Sequence, residues 1–82
     1  MNLLRDFELT TTHISFRLGE CEDFQHVLAR LKSIPLAERQ YDPEDYHRWT
    51  IKRTPENEAV LAETFDNFGQ CMTIALSQLS LF

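Results

Sequence analysis

Glycine is almost missing from this chain. Only Gly19 and Gly69 occur in 82 residues, so no glycine-rich loop is present to cradle a phosphate. Cysteine is equally scarce. Cys21 and Cys71 make no disulfide framework, and each falls in a helical pattern, where it reads as a small buried side chain. No apolar run is long enough to span a bilayer. No charged segment followed by an apolar core opens the sequence, so no signal peptide is expected, and a cytoplasmic protein is the expectation. Basic residues are also few: eight Lys and Arg stand against thirteen Asp and Glu, for a net charge of −5. That balance opposes a surface built mainly for nucleic acid.

The residues that are present make one domain over 1–82. An apolar content of 43% with 26% charged residues is that of a folded globular chain rather than a disordered one. The core must be small at this length.

Residues 1–11 leave two readings, a helical turn from Leu3, Leu4 and Phe7 or a strand beginning at Phe7 and Leu9. Thr10-Thr11-Thr12 favours extended backbone. From Thr12 to Leu18 the pattern alternates, with Ile14, Phe16 and Leu18 on one face, as in a half-buried strand. Gly19 ends it. Phe24, Val27, Leu28 and Leu31 then recur at helical spacing, which predicts an amphipathic helix over 21–33, stopped by Pro35. Residues 37–42 and 46–53 form a hairpin about Asp42-Pro43-Glu44-Asp45, whose proline presets φ at the first central turn position. Thr54-Pro55-Glu56 is a helix start: a cap, a proline at the first helical position and an acid for the dipole.

The expected fold is α+β with the order β-α-β-β-α, a three-stranded sheet with helices on one face and a C-terminal helical extension. Residues 12–66 form the core module and 67–82 the apolar extension. Leu61, Phe65, Phe68, Met72, Leu76 and Leu79 hold one stripe. An unbroken helix over 55–80 would span roughly 39 Å, against roughly 20–23 Å for the strands. Either Gly69 interrupts it and the rest folds back, or the last turns project.

The stretch Leu31–Ile51 has a closer parallel. Leu31, Lys32, Ile34 and Pro35 end a helix, Arg39 and Tyr41-Asp42-Pro43 make a strand and turn, Trp49 and Ile51 a second strand, and Glu56 and Leu61 a following helix. This pattern, over residues 14–65, resembles the small HARP-type domain that precedes the motor in annealing helicases and their bacterial relatives. The resemblance implies this fold and a supporting role in binding branched DNA. No motor accompanies the module in this sequence, and residues 66–82 have no counterpart in the pattern.

Candidate chemistry follows from the hairpin. If Tyr41 pairs with Tyr46, then Arg39, Tyr41, Tyr46, Arg48, Thr50 and Lys52 share the outer face, and Leu36, Trp49 and Ile51 turn inward. With Arg53, the set Arg39, Tyr41, Tyr46, Arg48 and Lys52 is the candidate nucleic-acid surface, with tyrosines to stack bases and cations to meet phosphates. The competing reading is a solvated face with arginine stems lying over the rings. Trp49 is assigned to the core.

His13, His26 and His47 lack metal spacing, and neither cysteine nor any serine sits in an elbow-like turn. Asp42, Glu44 and Asp45 do not match a calcium loop. No catalytic residue, metal, cofactor or small-molecule substrate is indicated. Cys71, Ile74, Leu81 and Phe82 lie off the helical stripe, and no charge interrupts residues 70–82. They are the candidate interface of a homodimer. The expectation is a non-catalytic binding module, acting with nucleic acid or a nucleic-acid enzyme. The alternative is an acidic interaction or inhibitor module that meets a protein through its helices or C-terminal segment.

Overall fold

Two alternating segments pair at the centre of the sheet, and their register fixes everything else. The computed structural model describes residues 2–19 and 21–79. Strand β2 (His13–Arg17) runs antiparallel to β4 (Arg48–Lys52), with Ile14 opposite Ile51 and Phe16 opposite Trp49. All four are fully buried. Their neighbours His13, Ser15, Arg17, Arg48, Thr50 and Lys52 alternate onto the other face, as the two-residue period of a strand requires.

Each central strand belongs to a hairpin. Strand β1 (Arg5–Leu9) pairs with β2, and β3 (Arg39–Asp42) pairs with β4, giving an antiparallel sheet of order β1-β2-β4-β3. The sheet therefore has four strands, not three. The extra strand is β1, whose alternation is broken by a bulge between Arg5 and Glu8, with Asp6 at φ 49°. The three threonines do not continue a strand. Thr10 Oγ1 accepts from His13 N at 2.9 Å and Thr12 N at 3.3 Å, which makes them the hairpin turn.

The helices cover the apolar face. Helix α1 (Phe24–Leu31) buries Val27 and Leu31, and α2 (Pro55–Thr64) buries Leu61. Thr54 caps α2 as expected, its Oγ1 accepting from Asn57 N at 3.0 Å. Asn57 is itself buried, and its side-chain amide donates to Lys52 O at 2.9 Å and Glu38 Oε1 at 3.1 Å, tying α2 to the end of β4. Arg30 and Glu63 pair across α1 and α2.

The long helical pattern breaks at Phe65–Asn67, not at Gly69. Phe65 takes an extended conformation (φ −118°, ψ 132°) and packs edge-on against Phe16, with ring centroids 5.6 Å apart. Helix α3 (Phe68–Leu79) then begins, with Gly69 inside its first turn. It packs against β1 and α2, so the fourth strand supplies the surface that a three-stranded sheet lacks. Asn67 holds the joint: its Oδ1 accepts from Leu4 N at 2.7 Å and its Nδ2 donates to Leu4 O at 3.1 Å. Asn2 O accepts from Asp66 N at 2.9 Å, and Asn2 Oδ1 from Cys21 Sγ at 3.0 Å and Asp23 N at 3.2 Å. Among the described residues no helix is long and apolar enough to cross a membrane.

Candidate functional site

The second hairpin does not have the register expected from Tyr41 facing Tyr46. Tyr41 lies opposite Trp49, Arg39 opposite Ile51 and Asp42 opposite Arg48. The connection is the five residues 43–47, with Tyr46 at φ 52° and His47 at φ 58°, rather than a tight turn. The shift is an odd number of residues, which exchanges the faces of β3. Arg39 and Tyr41 therefore lie on the helix side, and Gln40 and Asp42 face outward. Tyr41 stacks on Trp49 (centroids 4.5 Å) and its hydroxyl meets His47 Nδ1 at 2.5 Å. Burial pushes its phenol up from the ordinary value. Arg39 Nε donates to Ile34 O at 2.8 Å, bracing the end of α1. Leu36, expected to face inward, is 76% exposed. Trp49 is buried as expected, with its indole Nε1 lacking a hydrogen-bond partner.

The outer face keeps Arg48 and Lys52 and gains residues from the first hairpin. Cross-strand pairing sets Arg5, Arg17, Arg48 and Asp42 in one transverse row, Glu8, Ser15, Thr50 and Gln40 in the next, and His13 beside Lys52 in a third. Three arginines side by side repel one another, and the loop corrects this. Asp45 lies between two of them, 2.9 Å from Arg48 Nε and 3.1 Å from Arg17 Nη2, while Asp6 lies 3.3 Å from Arg17 Nη1. The Arg48 hydrogen bond, followed by that of Arg17, holds the Asp45 carboxyl below its ordinary range. Arg48 Nη1 also donates to Ser15 Oγ at 2.5 Å. Arg53 turns away, donating to Thr10 O at 3.0 Å and lying 3.6 Å from Glu58.

Tyr46 stands beside this row, opposite Gly19, and is 73% exposed. It borders an open depression of 210 Å³ lined by Arg5, Asp6, Arg17, Gly19 and Tyr46. Sequence reasoning singled out Tyr46 but not Arg5 or Arg17, which join it only through the unexpected strand β1. At the other end of the face, His13, Lys52 and the start of β3 border a shallower recess of 130 Å³.

The C-terminal candidates separate. Cys71 is half-buried against the core beside Asn67 Nδ2, 3.4 Å away, and burial pushes its thiol up. Ile74 is 55% exposed and Leu76 45%. Two positions apart is roughly 200° around a helix, so these two exposed side chains occupy opposite flanks of α3. Leu76, expected on the packing stripe, stands outside it. Leu81 and Phe82 lie outside the described residues. Among the described residues no group of three or more His, Cys, Asp or Glu is placed to hold a metal ion.

No protein-family model, curated protein or solved structure matches this chain.

Proposed function

We propose that this protein is a non-catalytic binding module whose working surface is the open face of the sheet, acting beside nucleic acid or an enzyme of nucleic acid. The observation that carries the reading is the transverse row Arg5–Arg17–Arg48, with exposed Tyr46 sharing a depression with Arg5 and Arg17. Arginine and aromatic side chains on an uncovered sheet meet phosphates and stack bases. The HARP-type pattern over residues 14–65 supports the same role. The experiment is a titration of single-stranded, duplex and forked nucleic acid at low and then rising salt. Weak binding that falls steeply with salt is expected, and Lys52→Glu should lower it without changing the fold. Absence of binding to all three at low salt overturns the polymer version.

A protein partner is the second reading, and the ion pairs favour it. Arg17 and Arg48 are already compensated by Asp45 and Asp6, so the face carries less free positive charge than its arginines suggest. Tyrosine and arginine in such a setting are also the residues that anchor protein interfaces. This reading predicts specific protein capture that survives nuclease treatment and is lost in Tyr46→Ala. The homodimer is likewise a proposal, resting on uncharged α3 and now on its Ile74 flank.

A further inference from the structure

Four described residues have left-handed backbone: Asp6, Gly19, Tyr46 and His47. Three of them, Asp6, Gly19 and Tyr46, line one depression beside Arg5 and Arg17. Backbone of this kind is disfavoured for residues with a side chain, and where it gathers at one place it marks a site that the surrounding structure holds against strain. The surroundings here are explicit. Gly19 N donates to Tyr46 O at 3.1 Å and Leu18 N to His47 O at 3.4 Å, continuing the sheet pairing past the end of β2. The His47 ring is fixed against Phe24, centroids 4.6 Å apart, and by the Tyr41 hydroxyl. Tyr46 is thereby held out of the core, as its exposure records.

The charges around the depression are unequal. Arg17 is occupied by Asp6 and Asp45. The Arg5 side chain forms no hydrogen bond or ion pair among the described residues, and its Nη1 lies 3.8 Å from where a Cβ on Gly19 would stand. An unpaired guanidinium thus overhangs one side of the depression and an exposed phenol ring borders another. The volume of 210 Å³ is below the roughly 300–1,000 Å³ of clefts that enclose a drug-sized ligand. It suits one planar ring system with its charged group left outside.

We infer that this depression receives a single unpaired base of a nucleic-acid strand, stacked on Tyr46, with the adjoining phosphate on Arg5. The inference rests on the nucleic-acid version of the proposed function and gives it a location and a preference. A base within a duplex presents no free face to Tyr46, so the site selects unpaired nucleotides. Asp6 and Asp45 contribute by occupying Arg17, which leaves Arg5 as the cation that meets the phosphate.

Anisotropy of a labelled oligonucleotide, single-stranded or duplexed, tests this at low salt with the full-length protein. The wild type is expected to prefer the single strand. Tyr46→Ala should weaken single-strand binding about thirtyfold, the middle of the range for one stacked base, and leave duplex binding unchanged. Tyr46→Phe keeps the ring and should bind within about twofold of wild type. Arg5→Gln should reduce the slope of log affinity against log salt by about one unit. Circular dichroism confirms that each variant is folded. Binding that ignores both Tyr46 and Arg5 overturns this site while the broader reading stands. No binding of either form overturns both.

Discussion

Tyr46 and Asp45 adjoin in one loop and answer to different demands. Asp45 serves the fold, because it lets Arg17 and Arg48 stand opposite each other on adjacent strands. Its carboxyl is held low by Arg48 first and Arg17 second, so its contribution is complete above the ordinary carboxylate range. That contribution is lost as pH falls through the lowered value. Asp45→Asn should therefore flatten the acid limb of a stability-against-pH curve measured by urea unfolding, with the alkaline limb unchanged. Tyr46 sits in a conformation that glycine adopts freely. Tyr46→Gly should raise stability by about 1 kcal/mol, the scale of the left-handed penalty, offset in part by the greater chain entropy of glycine. A lower urea midpoint would mean that the exposed ring contributes packing.

Among the elements, those with uninterrupted periodicity were legible and those with a local break were not. Ile14, Phe16 and Leu18, and Trp49 with Ile51, alternate without exception, and they are the buried centre of the sheet. Thr54-Pro55 marks the start of α2 because capping is local chemistry. Strand β1 hid behind its bulge: Asp6 and Phe7 interrupt the alternation that would have revealed it. The joint between α2 and α3 contains neither glycine nor proline. Burial of Phe65 against Phe16 sets it, a contact forty-nine positions apart in sequence. The make-up of the open face divides in the same way. Tyr46, Arg48 and Lys52 are placed by their own strand or loop, but the side on which Arg39 and Tyr41 lie depends on a register set by two left-handed residues that are not glycine. Arg5 and Arg17 needed the missing strand. Within this architecture Asn67 joins the most distant parts. Asn67→Ala leaves the Leu4 amide and carbonyl without their partners and should cost roughly 1–3 kcal/mol, read from urea unfolding, with faster exchange of the Leu4 amide.

At the scale of the molecule, the sheet has one apolar and one polar side, and the two sides carry separate predictions. On the apolar side, Trp49 is fully buried and stacked on Tyr41. Trp49→Ala should cost roughly 3–5 kcal/mol, a large part of the stability of so small a domain. Tryptophan emission in the native protein should be blue-shifted relative to the unfolded chain. On the helical side, sedimentation at high concentration tests self-association: the proposed interface requires a dimer that Ile74→Glu converts to a folded monomer.

Strand β1 and helix α3 pack on one another at one side of the molecule, joined to the rest mainly through β2, α2 and the Asn2–Leu4 segment gripped by Asn67. Remove that pair in thought, and what is left is β2, α1, β3, β4 and α2, with Ile14, Phe16, Trp49, Ile51 and Leu61 still facing one another. That remainder is the β-α-β-β-α unit legible in the sequence. The protein should accordingly open in two stages, since cooperative subunits of a fold release at different free energies. Amides of β1 and α3 should exchange together through a partial opening, while those of β2 and β4 wait for global unfolding. The depression at Tyr46 borrows Arg5 and Asp6 from the part that opens first. Occupying it would then slow exchange in α3, a helix that lines none of it.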